Sequence, residues 1–109
     1  MELNAYRIMW IFVFFDLPTT TRKDRKNASL FRKNILKDGF TMMQFSVYNR
    51  HCASSESADV HEIRINKLLP PRGKVSILRI TDKQFGNILN FWGKQEVPKE
   101  PQPAQLELF

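Results

Sequence analysis

Short apolar runs alternate along this chain with stretches in which apolar residues recur every three or four positions. Tyr6 to Phe15 (YRIMWIFVFF) is apolar at both parities, with Ile8, Trp10, Phe12 and Phe14 on one and Met9, Ile11, Val13 and Phe15 on the other. A brief run this rich in β-branched and aromatic side chains predicts a strand. Apolar residues at both parities require cover on both faces of its sheet. Asp16 stands at the carboxyl end of the strand, and Leu17-Pro18 stop it. Thr19 to Lys37 reads as a helix. Thr21 and Asp24 supply an N-terminal capping signal, and Ala28, Phe31 and Ile35, with Leu36 beside them, form a stripe at helical spacing. Gly39 suits the C-terminal cap.

Phe40 to Ala53 is extended, but fourteen residues exceed the usual length of a single strand, roughly 3–10. A break near Gln44–Ser46 predicts two short strands, although no Gly or Pro marks it. Ser57 to Leu69 is a second helix, with Val60, Ile63, Ile65 and Leu68 apolar, ended by Pro70-Pro71 and Gly73. Lys74 to Ile80 is the next strand. Thr81 to Gly86 is a turn or a single helical turn, with Asp82 as its expected cap, and Ile88 to Trp92 is a short final strand. From Gly93 the composition shifts. Pro98, Pro101 and Pro103 precede a terminal Leu106-Glu107-Leu108-Phe109, which reads either as a segment that adds a strand to a partner's sheet edge or as a disordered terminus.

With residues 40–53 split, the order is strand–helix–strand–strand–helix–strand. That order predicts an α+β fold: a ferredoxin-like sandwich over residues 1–93, with a four-stranded antiparallel sheet carrying both helices on one face. A Pro-containing tail, 94–109, follows. Such a sheet leaves its second face bare, which the two-sided first strand contradicts. A second copy of the chain is the simplest cover, and a homodimer through that face is expected.

At 109 residues the chain has the size of one domain. Thirteen aromatic residues, nine of them Phe, exclude a disordered basic tail. Cys52 is the only cysteine, so neither an intrachain disulfide nor a cysteine-based zinc cluster can form. The first residues lack a basic leader with a small-residue cleavage site, and the longest apolar run, eight residues, is far below the ~20 needed to cross a bilayer. A cytoplasmic domain with no membrane partner is expected.

Charge narrows the partners. Lys and Arg number 17 against 11 Asp and Glu, a net +6. Residues 22–38 hold Arg22, Lys23, Arg25, Lys26, Arg32, Lys33 and Lys37 against only Asp24 and Asp38, too lopsided for mutual pairing. Such a face is either merely solvated or a nucleic-acid surface driven by counterion release. Arg50, Arg72, Lys74 and Arg79 extend it, and in a dimer the band would be long enough for duplex DNA. Arg22, Lys23, Arg25, Lys26 and Arg50 are the candidate contacts. The sequence has no glycine-rich phosphate loop, no zinc-finger spacing and no aromatic RNA-binding strand pattern, so backbone binding is expected rather than base readout.

Asp16 is the candidate for chemistry, either as a helix-capping aspartate or as a metal ligand. Mg²⁺ takes one or two carboxylates and keeps several waters, so one aspartate per chain suffices only where a dimer brings two together. A metal there would polarise a phosphodiester oxygen and acidify a bound water. Asp24 and Asp38 read as ion partners or helix-end charges, and Asp59 and Glu62 as parts of a solvated helix face. His51 and His61 read as ordinary packing or surface histidines, and Cys52 shows no activated-nucleophile context.

At these residues the chain resembles the CRISPR-associated protein 2 family, the small subunit of the spacer-acquisition machinery. The resemblance rests on Phe15-Asp16-Leu17-Pro18, on Gly39-Phe40 with Gln44-Phe45-Ser46-Val47-Tyr48, and on Gly73-Lys74-Val75 leading to Ile80-Thr81-Asp82-Lys83-Gln84-Phe85-Gly86. The last segment looks most like members that accompany a single large RNA-guided nuclease. The resemblance implies a ferredoxin-like homodimer, and it implies that Asp16 is the metal-binding and catalytic aspartate, with Mg²⁺ shared near the dimer axis. It implies two roles: a metal-dependent nuclease on RNA or DNA, and a scaffold that holds precursor duplex DNA and bridges integrase dimers. The scarcity of acids around Asp16 and the lack of a general base favour the scaffold. A small-molecule-binding regulator of the same shape has no pocket signature to support it.

Overall fold

A computed structural model describes residues 7–99. Its elements run β1 (Met9–Asp16), α1 (Arg22–Lys37), β2 (Thr41–Gln44), β3 (Val47–Cys52), α2 (Ser55–Leu68), β4 (Lys74–Thr81), α3 (Asp82–Gly86), β5 (Asn90–Trp92) and β6 (Gln95–Val97). The main sheet has the order β2-β3-β1-β4, antiparallel throughout, with β1 central. With α1 and α2 packed on one face, this is the α+β ferredoxin-like arrangement.

Local chemistry sets the boundaries. The α1 N-terminus is closed by a capping box: the Thr21 hydroxyl accepts from the Asp24 N–H at 3.0 Å, and the Asp24 carboxylate accepts from the Thr21 N–H. At the other end Gly39 takes φ +90°, in the left-handed region that glycine adopts without strain. The 40–53 segment does break in two. Ser46 sits at φ +63° between β2 and β3, so a serine in the left-handed conformation performs the turn that no glycine or proline announces.

The odd-numbered residues of β1 meet the helices. Ile11, Val13 and Phe15 pack with Phe31 and Ile35 of α1, Ala58 and Ile65 of α2, and Tyr48 of β3, all buried. The even-numbered residues face the other way, and there the expectation of a wholly bare face is corrected. α3 folds back over the start of β1, and Phe85 stacks on Trp10 with ring centroids 3.7 Å apart and planes 4° from parallel. Phe12 joins this second cluster, and Ile80 and Ile88 pack against it. The chain thus covers half of its second face itself, and only the half around Phe14 (37 % exposed) and Leu78 (48 % exposed) stays open.

α3 begins at Thr81, whose hydroxyl accepts from the Gln84 N–H while the Gln84 side chain reaches back to the Thr81 N–H. Thr81 therefore does the capping assigned above to Asp82. Asp82 is fully buried instead, and its Oδ1 accepts from the Trp10 indole N–H at 2.6 Å. The final strand pairs with a further one, β6, in a hairpin around Gly93 at φ +60°. Residues 100–109, including Leu106 to Phe109, lie outside the described residues.

Candidate functional site

Asp16 ends β1, is exposed, and shares the parity of Trp10, Phe12 and Phe14. It therefore belongs to the open half of the second sheet face. On one side β1 still has a strand partner, with Asp16 opposite Lys74 and Phe14 opposite Ser76. On the other side β3 has already ended at Val47, opposite Phe14, and its turn takes over, the Phe15 N–H donating to the Ser46 carbonyl at 3.1 Å. The result is a shallow groove lined by Phe14, Asp16, Phe45, Ser46, Lys74 and Ser76. Phe45, at the turn, is 79 % exposed. The Arg32 guanidinium lies 5.6 Å from the Phe45 ring and 5.9 Å from that of Phe15.

Apart from Lys74, the polar side chains of this groove offer oxygen only: one carboxylate and two hydroxyls. That donor set suits a hard divalent cation and not a soft one. Among the described residues no three His, Cys, Asp or Glu side chains gather to hold a metal, and Asp16 is the one carboxylate lining this groove. His51, opposite Trp10, shares the face but stands six residues along the strand from Asp16. At about 3.3 Å per residue that is roughly 20 Å, and its imidazole cannot serve there.

The basic residues of α1 separate into free and engaged. Arg22, Lys23, Lys26, Lys33 and Lys37 are exposed. Arg22, Lys26, Lys33 and Lys37 follow one another at spacings that fall on one side of the helix. Arg25 is exposed too, but its guanidinium donates to the Thr19 and Thr20 carbonyls at 3.0 and 3.2 Å, tying it to the approach to α1. Arg50 departs from the expected band. Its guanidinium turns inward over Gly39 and donates to the Asp38 carbonyl at 2.7 Å, so it closes the α1–β2 junction instead of facing a partner. Arg79 is likewise held, by Asp59 and Glu62 at 2.9 Å each. Burial opposes its charged form, but these two carboxylates outweigh burial and raise its pKa further.

The packing role expected of His61 holds. It is buried on α2, with Nδ1 2.7 Å from an Asp38 carboxylate oxygen while Arg64 holds the other at 3.0 Å. Cys52 is buried, and burial pushes its thiol pKa up against the opposing pull of Arg50, as befits an inert side chain. Sequence reasoning gave Gly73 and Arg72 no special place beside Asp16. Gly73 has φ +100°, and a Cβ there would lie 2.8 Å from the Asp16 carbonyl oxygen. Only the family-like Gly73-Lys74-Val75 string hinted at this contact.

Comparison with known proteins gives these positions a context. Residues 9–88 match the family described as CRISPR associated protein Cas2. The chain belongs to the Cas2 family. It is 58 % identical over 108 residues to a Flavobacterium psychrophilum protein named CRISPR-associated endoribonuclease Cas2, covering 99 % of this chain and 94 % of that one. A Parvibaculum lavamentivorans protein of the same name is 54 % identical over 101 residues, 93 % of this chain and all of its own length. One from Paracidovorax avenae is 43 % identical over 107 residues, 98 % and 99 % of the two chains. The Cas2 match spans β1 to the end of α3, so Asp16, its groove and the basic helix all fall within it.

Proposed function

We propose that this chain is a CRISPR adaptation subunit that works as a homodimer, grips duplex DNA through α1 and bridges integrase dimers during spacer acquisition. Asp16 in this reading is a Mg²⁺ ligand and supports metal-dependent phosphodiester cleavage as a secondary activity. The observation that carries it is the position of Asp16: a lone exposed carboxylate on the same open half-face as Phe14 and Leu78. Covering those side chains with a second copy excludes their apolar surface from water and sets two Asp16 residues along one two-fold seam, which supplies the second carboxylate that one chain lacks. Bound Mg²⁺ would contribute Lewis acidity toward a phosphate oxygen and a more acidic water. The Lys74 ammonium and the hydroxyls of Ser46 and Ser76 are placed to hold phosphate oxygens.

Cleavage as the main role is the second reading, and the endoribonuclease names of the relatives favour it. Against it stands the absence, among the described residues of the groove, of a second carboxylate or a histidine that could act as general base while Asp16 holds the metal. Asp16→Asn separates the two. It should abolish Mg²⁺-dependent cleavage of RNA or DNA while integration with the integrase partner persists. Loss of integration with DNA binding and assembly intact would overturn the scaffold reading.

A further inference from the structure

Arg72, Gly73 and Lys74, the run that leads into β4, contact three parts of the segment around Asp16. Lys74 is its cross-strand partner. Gly73 lies against the backbone of the next turn: a Cβ there would be 2.8 Å from the Asp16 carbonyl oxygen, 2.8 Å from a Leu17 methyl and 2.9 Å from the Pro18 ring. Arg72 reaches past that turn to α1, where its Nη1 is 3.1 and 3.0 Å from the two carboxylate oxygens of Asp24. Asp24 is itself fixed. Its side chain is only 5 % exposed and closes the capping box with Thr21. The segment from Asp16 to Thr21 is therefore held at two points, with Gly73 across its first half and the Arg72–Asp24 ion pair fastening its far end.

We propose that Arg72, through Asp24 and with Gly73, is a positioning residue that fixes the direction of Asp16. The chain leaves the sheet at Asp16, with β3 no longer alongside, so the β1–β4 ladder alone would let this strand end fray. An ion pair to a buried carboxylate on the next helix removes that freedom, and the glycine lets the two backbones approach closely enough for the pair to form. The metal-ligand consequence rests on the reading of Asp16 given above; the clamp on the strand end does not.

The test uses the full chain with Arg72→Gln, Arg72→Lys, and Thr21→Ala as a control that weakens the same helix end but keeps the ion pair. Amide hydrogen exchange at Asp16 and Lys74 is read beside Mn²⁺ affinity by paramagnetic resonance. Arg72→Gln should speed exchange at these amides and weaken Mn²⁺ binding, each on the order of tenfold. Arg72→Lys should restore much of both, and Thr21→Ala should move neither beyond its general effect on unfolding. Wild-type exchange in Arg72→Gln, or an equal local change in Thr21→Ala, overturns the clamp. If exchange responds but Mn²⁺ binds neither wild type nor variant, the clamp stands and the metal reading of Asp16 falls.

Discussion

The Trp10–Asp82 hydrogen bond shows how one side chain can decide what a short element does. A carboxylate with no solvent exposure needs donors, and the indole N–H at 2.6 Å is one of them. The same bond holds Phe85 over the Trp10 ring and so fastens α3 to the sheet. Trp10→Phe keeps an aromatic ring but takes a donor away from a buried carboxyl group. It should cost about 1–3 kcal/mol, read as a lowered urea midpoint at unchanged slope. Asp82 and Trp10 are 72 positions apart, and nothing in the spacing of either links them. The Asp24–Arg72 pair is 48 apart and just as hidden. Asp16 was legible because it ends an apolar strand, and the exposed lysines because charge clusters on one helix. The inward turn of Arg50 was not legible, because a list of charges does not show which guanidinium a nearby glycine leaves room to hold.

At the scale of elements, the α1–β2 junction is the most tightly specified turn. Gly39 leaves the helix at positive φ, and the Arg50 guanidinium fills the space a side chain would take, with its Nη1 where a Cβ would stand. Gly39→Ala therefore meets backbone strain and a displaced arginine together. It should lose about 1–3 kcal/mol in denaturant unfolding, more than an alanine at an ordinary exposed position. Helix ends of this kind announce themselves in sequence because capping chemistry is local. The α1 capping box and Gly39 fall where the residues predict. The β2–β3 turn also falls where strand length puts it, near Gln44–Ser46, but no residue there announces it, since a serine adopts φ +63° only when the strands around it demand it. β6 escaped notice for a related reason: three residues, Gln95 to Val97, form a strand only because β5 lies beside them.

For the whole molecule, the uneven cover of the sheet is the property that matters most. One face is filled by α1 and α2 and half of the other by α3, which leaves Phe14, Leu78 and Asp16 as one open strip. If a second copy takes that strip, light scattering should give twice the 12.9 kDa chain mass. Replacing Phe14 and Leu78 together with glutamate should return the monomer with its unfolding cooperativity intact. A monomer of the unaltered chain at micromolar concentration would overturn the proposed dimer. The central position of β1 has a further consequence, for biosynthesis. The strand is made first, yet its two neighbours begin at residues 47 and 74. Until then Trp10 to Phe15, six uncharged residues of high strand propensity, has no strand edge to pair with and at most α1 to cover one face, the signature of a segment that self-associates. The nascent chain is thus most prone to aggregation before β4 emerges, and slower translation or lower temperature between those points would govern how much protein reaches the folded state.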